Sequence, residues 1–227
     1  MRRPLKMESF RKLISLGIPI ETVLDIGILT GTGELMAVFG DKRHLLVEPI
    51  EEWNDTINAS YTKHKIDYTL INVAASDENG TMNMETTSVI PGRAISHARL
   101  TDRAIGENVR SVSVRTIDSL MQDYPLPGPY LLKIDVDGVE IKVIRGAKET
   151  LKSVNVIVIE ANIKNFLERA TYLKESGFEL FDIVDPCYYD GRLRQFDLVF
   201  LNSAMVTERG LDMYKVAFDI TKWESYK

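Results

Sequence analysis

The chain has 227 residues, of which 44% are hydrophobic and 27% charged, and it carries a net charge of −5. This composition excludes global disorder, a collagen-like repeat and a disulfide scaffold, and the length suits a single domain over residues 1–227 with a sizeable core. A single cysteine, Cys187, excludes an internal disulfide and a cysteine-based zinc clip and points to a reducing, cytoplasmic setting. The acidic balance argues against nucleic acid as a partner. No run approaches the ~20 apolar residues of a membrane span, and the start of the chain lacks the apolar core of a signal peptide.

Residues 5–17 carry apolar side chains at helical spacing, with Gly17 as the stop. A strand is expected over Thr22–Ile26, a helix over 31–39, a strand over His44–Val47 and a charged helix over 50–62. Tyr68–Ala75 reads as a third strand. Thr81–Glu85 and Ser111–Arg115 are candidate strands flanking residues 86–108, an irregular insertion that reads either as a lid or substrate loop or as a mobile surface loop. Strands at Tyr130–Val136 and Val154–Ala161 enclose a helix at 139–151, and a further helix covers 164–176. Phe178–Val184 and Phe196–Asn202 flank a turn at Asp190-Gly191, too close for a helical crossover, so they should pair antiparallel. Met213 to Lys227, with Tyr214, Phe218, Trp223 and Tyr226, packs as a final helix or meets a partner, and a homo-oligomer stays open. Continuously apolar strands alternating with helices mean a doubly wound, mostly parallel α/β sheet ending in an antiparallel hairpin.

Three places carry chemistry. Asp25-Ile26-Gly27-Ile28-Leu29-Thr30-Gly31-Thr32-Gly33 follows the first strand, where glycines let main chain approach a ligand and the next helix offers free N–H groups. Glu48 ends the second strand about 20 residues after Gly27, where a carboxylate can accept both hydrogen bonds of a ribose diol. The glycine order differs from the dinucleotide fingerprint G-x-G-x-x-G. Asp25 would also repel a pyrophosphate, whereas it suits an ammonium group. The third place is the mouth of Tyr130–Val136, where Asp135, Asp137 and Glu140 cluster after Lys133. Asp137 and Glu140 are also placed to cap and charge the next helix. Glu160 ends the following strand at the same mouth, so Asp135, Glu140 and Glu160 are candidates to hold a divalent cation or position a substrate hydroxyl, although the spacing is no diagnostic metal motif. His97, in the insertion, is the histidine best placed as a general base, and Arg93 and Arg99 beside it suit an anionic substrate. His44 and His64 read as structural or surface residues.

In order, VLDIG with Gly31, LLVEP, NVAASDENGTM, VSVRTIDSL and LLKIDVDGVEIKVIRGA resemble the FkbM family of S-adenosylmethionine-dependent methyltransferases, from Val23 to Ala161. The resemblance implies a Rossmann-like class I methyltransferase fold and O-methylation of a hydroxyl on a sugar, glycan or natural product. It places the methionine end of S-adenosylmethionine at Asp25, Gly27 and Gly31, the ribose at Glu48, the adenine along Asn72–Asp77 with Asn72 and Ala74 foremost, and Asp135 at the reacting end. Asp135 or His97 would take the acceptor proton, and Arg93, Glu140 and Glu160 would meet the saccharide or other small-molecule acceptor. The family often has Ala-Asn where this chain has Ile28-Leu29, which leaves Thr30 or Thr32 to supply a polar contact, and Glu at Asp137. Two further readings stay open, an NAD-type oxidoreductase and a methyltransferase-like binding module without turnover.

Overall fold

The structure is a computed structural model describing residues 3–88, 95, 97–102, 106, 108–212, 215 and 217–224. In chain order the helices and strands are α1 (Lys6–Ser15), β1 (Thr22–Ile26), α2 (Gly33–Phe39), β2 (Arg43–Val47), α3 (Asn54–His64), β3 (Tyr68–Ile71), β4 (Ala74–Ala75), β5 (Gly80–Thr87), β6 (His97–Thr101), β7 (Val109–Arg115), α4 (Ile117–Asp123), β8 (Tyr130–Ile134), α5 (Glu140–Arg145), β9 (Val154–Asn162), α6 (Phe166–Glu175), β10 (Phe178–Tyr189), β11 (Arg192–Asn202) and α7 (Ser203–Glu208). They form two compact units, Ile20–Val154 and Met1–Pro19 with Asn155–Lys227.

In Ile20–Val154, four strands run parallel in the order β8-β1-β2-β3. β1 and β8 are buried at every position, as strands covered on both faces are, and each carries one charge inside an otherwise largely apolar run, Asp25 and Lys133. The helices α2 and α3 supply the crossovers, and Ile28, Leu46, Ile57, Tyr61 and Ile66 pack as one core cluster. The expected strand 68–75 is divided at Asn72, whose amide donates to the Glu48 carbonyl and to Asn54 Oδ1, each at 2.9 Å. Its second half, β4, joins another sheet ordered β4-β7-β5-β6. Part of the stretch read as irregular is therefore regular: His97–Thr101 pairs antiparallel with β5, its outward His97 and Arg99 alternating with half-buried Ala98 and Leu100. Five residues are too few for that alternation to stand out from the surrounding sequence.

Two further differences have local causes. The helix expected over 139–151 ends at Arg145, with Gly146 as its C-cap packed against the Ser76 carbonyl, and gives way to a 3₁₀ turn at Thr150–Ser153. α4 was not anticipated; Thr116 starts it by accepting a hydrogen bond from the Ser119 N–H at 3.1 Å.

In the other unit, β9, β11 and β10 form an antiparallel ladder. The hairpin is longer than its apolar segments, 178–184 and 196–202, indicate. Asp190 and Gly191 both have positive φ, +49° and +69°, as the tight two-residue turn of a twisted hairpin requires. Lys6 of α1 reaches Asp197 at 2.5 Å and Asp185 at 3.5 Å, fastening the helix to the hairpin. Over its described residues the C-terminal segment forms a 3₁₀ turn at Ile220–Lys222, with Phe218 and Trp223 exposed. No described helix is long and apolar enough to cross a membrane.

Candidate active site

The carboxyl ends of β1, β2 and β8 meet in Ile20–Val154, the edge at which open α/β sheets bind ligands. Two backbone hydrogen bonds carry the parallel pairing past the strand ends, Gly27 N–H to the Val47 carbonyl at 2.9 Å and Asp135 N–H to the Ile26 carbonyl at 3.0 Å. Gly27 has φ +78°, and a Cβ there would lie 2.1 Å from the Asp135 carbonyl oxygen, so only glycine fits. Beyond it the chain turns through Leu29 at φ +53° and closes with Gly31 N–H on the Ile28 carbonyl at 2.8 Å. Glu48 holds this loop: it accepts from Leu29 N–H at 2.7 Å and from Ile50 N–H at 2.9 Å. Glu48 is buried, and burial pushes its pKa up to about 7 against the two N–H donors that favour the carboxylate.

Beneath the loop lies a charged cluster. Lys133 extends its ammonium to within 3.2 Å of Asp25 Oδ1, 3.3 Å of Asp135 Oδ2 and 3.4 Å of the Gly27 carbonyl. Asp25 is 0% exposed and Lys133 4%, whereas the Asp135 side chain is 40% exposed. Burial alone would lower the Lys133 pKa; Asp25 and then Asp135 reverse this and hold the ammonium above the ordinary lysine value. No backbone N–H or hydroxyl reaches the Asp25 carboxylate among the described residues, so its partner there is the Lys133 ammonium. Asp25 also adds to the effect of burial in raising the Tyr61 phenol. His44 is structural, buried with Nε2 3.0 Å from the Phe39 carbonyl, and its pKa is lowered by burial.

A pocket opens at this edge, lined by Gly27, Pro49, Val73, Ala74, Val136 and Asp137 and walled on the side of the second sheet by Met84, Ala98 and Leu100. Of the residues expected at a cofactor, Gly27 and Ala74 line it, whereas Asp25 sits below it. Thr30 and Gly31 belong to the glycine loop, and Asn72 ties the Glu48 carbonyl to Asn54. Asp137 does not cap α5 as expected. Its carboxylate accepts from Ala98 N–H at 3.0 Å and so secures β6 to the mouth of β8. Burial raises the Asp137 pKa against the opposing charge of His97, which starts β6 and is exposed. Glu140, the first residue of α5, is buried and accepts from Gly138 N–H at 3.3 Å. Glu160 belongs to the other unit, where Gln195 donates to its carboxylate at 2.9 Å and Arg169 to its carbonyl. Arg93 lies outside the described residues. Among the described residues, no three His, Cys, Asp or Glu side chains gather as a divalent cation would need. The role of Lys133 and the apolar wall were missed. The spacing of Lys133 and Asp135, two apart on one strand, was the signal, since it puts both on one face.

The Methyltransferase FkbM domain model matches residues 31–180. The chain belongs to this family. Among curated relatives, the hexuronic acid methyltransferase AglP of Haloferax volcanii is 36% identical over 52 residues, a match spanning 22% of this chain and 22% of AglP. Among solved structures, an rRNA methylase from Streptococcus thermophilus superposes with a TM-score of 0.51 at 10% identity, covering 89% of this chain and 98% of that one. SMU.1697c from Streptococcus mutans, solved in complex with SAH, gives 0.50 at 9% identity over 88% and 98%. These likenesses agree with family membership on the fold, an α/β, mostly parallel Rossmann-like methyltransferase sheet, as the strand pattern indicated.

Proposed function

We propose that this FkbM-family protein is an S-adenosylmethionine-dependent methyltransferase acting on a hydroxyl or other oxygen of a saccharide or related small molecule. The observation that carries this reading is the junction of Gly27 with the Asp135 carbonyl above the buried acid Asp25. Main chain meets main chain there with no room for a side chain, and the Asp25 carboxylate beneath is fully buried against the Lys133 ammonium at 3.2 Å. The net negative charge of Asp25, Lys133 and Asp135 beneath the loop favours a ligand with a cationic group over a pyrophosphate. The same charge disfavours a dinucleotide.

Bound there, S-adenosylmethionine supplies a methyl group that an oxygen nucleophile can accept. Gly27, Thr30 and Gly31 would receive its amino-acid end over the negative charge of Asp25. Glu48 would take the ribose, and Asn72 and Ala74 would border the adenine. Asp135, half-exposed at the end of β8, is the group we assign to receive the acceptor proton, with His97 as the alternative. The apolar wall of Val73, Met84, Leu100 and Val136 would keep water from the reacting atoms. The saccharide acceptor rests on the likeness to AglP, a hexuronic acid methyltransferase. The exposed free thiol of Cys187 suits a reducing compartment.

The test is transfer of label from methyl-labelled S-adenosylmethionine to hexuronic acids and neutral saccharides. Labelled acceptor is expected, with transfer lost in Asp135→Asn. Donor binding without transfer to any acceptor would leave a binding module instead.

A further inference from the structure

Lys133 is a buried cation beneath the glycine loop of a site read as receiving a cation. Its ammonium is the third member of a triad with Asp25 and Asp135, at 3.2 and 3.3 Å, and it also reaches the Gly27 carbonyl. Asp25 faces Lys133 because the two are paired in register across β1 and β8, and Asp135 faces it because it lies two residues on. The three charges sum to one negative, and two of them, Asp25 and Lys133, are shielded from salt by burial.

We propose that Lys133 is a positioning and specificity-determining residue, whose charge limits how strongly the site prefers a cationic ligand over its neutral counterpart. This rests on the reading of the site as that of S-adenosylmethionine. That donor carries a positive sulfur, and S-adenosylhomocysteine, left after transfer, has a neutral one. A site with two unopposed carboxylates would favour the donor further. With Lys133 opposing one of them, the preference is moderated, and both ligands are held by the same loop. Lys133 acts through the two acids and touches neither ligand.

The experiment is titration calorimetry of the wild type, Lys133→Met and Lys133→Arg with both ligands, repeated from neutral to alkaline pH and in buffers of different ionisation enthalpy, so that the ratio is read where no proton is taken up or released on binding. The quantity read is the ratio of the two dissociation constants. Removing one unit charge at interior-like dielectric is expected to move that ratio toward S-adenosylmethionine by about tenfold in Lys133→Met. Lys133→Arg should keep the wild-type ratio. A merely structural role would weaken both ligands equally and leave the ratio unmoved, which would overturn the proposal. If Lys133→Met does not fold, Asp135→Asn removes one charge of the same triad from a half-exposed position, and its ratio must move the opposite way; no movement overturns the proposal. A wild type that binds neither ligand would instead sink the reading of the site itself.

Discussion

Leu29 shows what one residue contributes to this site. It occupies left-handed backbone at φ +53°, where a side chain of its type is strained and Asn is better tolerated. The family often has Asn there. Leu29→Asn is expected to raise unfolding free energy by about 1 kcal/mol in urea titration, with no loss of the Glu48 contact, which uses the main-chain N–H. Glu48 itself gives a pH signature. Its folded pKa, near 7, lies above the ordinary 4.5, so the native state binds the proton more tightly than the unfolded chain. Its contribution is present in full below about pH 4.5 and is lost as pH rises through 7, on the order of 3 kcal/mol in all. Denaturation at pH 5 and pH 8 should show this loss in the wild type and a flatter profile in Glu48→Gln. Equal pH dependence in the two would contradict the assignment. Glu48 and Gly27 were legible as a spacing of glycine and acid, but the burial that shifts Glu48 was not, because it depends on a loop folding over the side chain.

The elements were legible where one physical signal dominated. Thr22–Ile26 was placed to the residue because a short, mostly apolar run ends at an Asp and a glycine. The Asp190-Gly191 turn was placed because few residue pairs tolerate two positive φ values. Legibility failed where a long-range contact overrides local pattern. Val73 and the alanines after it continue an apolar run, yet Asn72 redirects the chain into a second sheet through side-chain hydrogen bonds to residues far earlier in sequence. The same holds at Gly146, the C-cap of α5, which packs closely against Ser76, far away in sequence. Gly146→Ala would put a Cβ 2.1 Å from the Ser76 carbonyl, so it is expected to destabilise the protein by roughly 2–3 kcal/mol despite being a favourable change by helix propensity. A stabilised variant would show that the contact yields. Thr116→Ala should cost about 1 kcal/mol through loss of the α4 cap.

For the whole molecule, the ordered series of motifs carried more than any one of them. The order of strands, the acid after β2 and the LKIDV segment together point to one family, and the match over residues 31–180 agrees. The acceptor was not legible, since acceptor contacts come from segments whose residue types follow no fixed spacing. The central claim is that the mouth of β1, β2 and β8 is an adenosyl-sulfur site. The measurement that tests it most directly is thermal unfolding of the wild type and Gly27→Ala with S-adenosylmethionine, S-adenosylhomocysteine and NAD. At 100 times its dissociation constant a native-state ligand adds about 2.7 kcal/mol. The account predicts a raised melting temperature with the two adenosyl-sulfur ligands, none with NAD, and no shift in Gly27→Ala. A wild type unmoved by both adenosyl-sulfur ligands, or moved only by NAD, would contradict it.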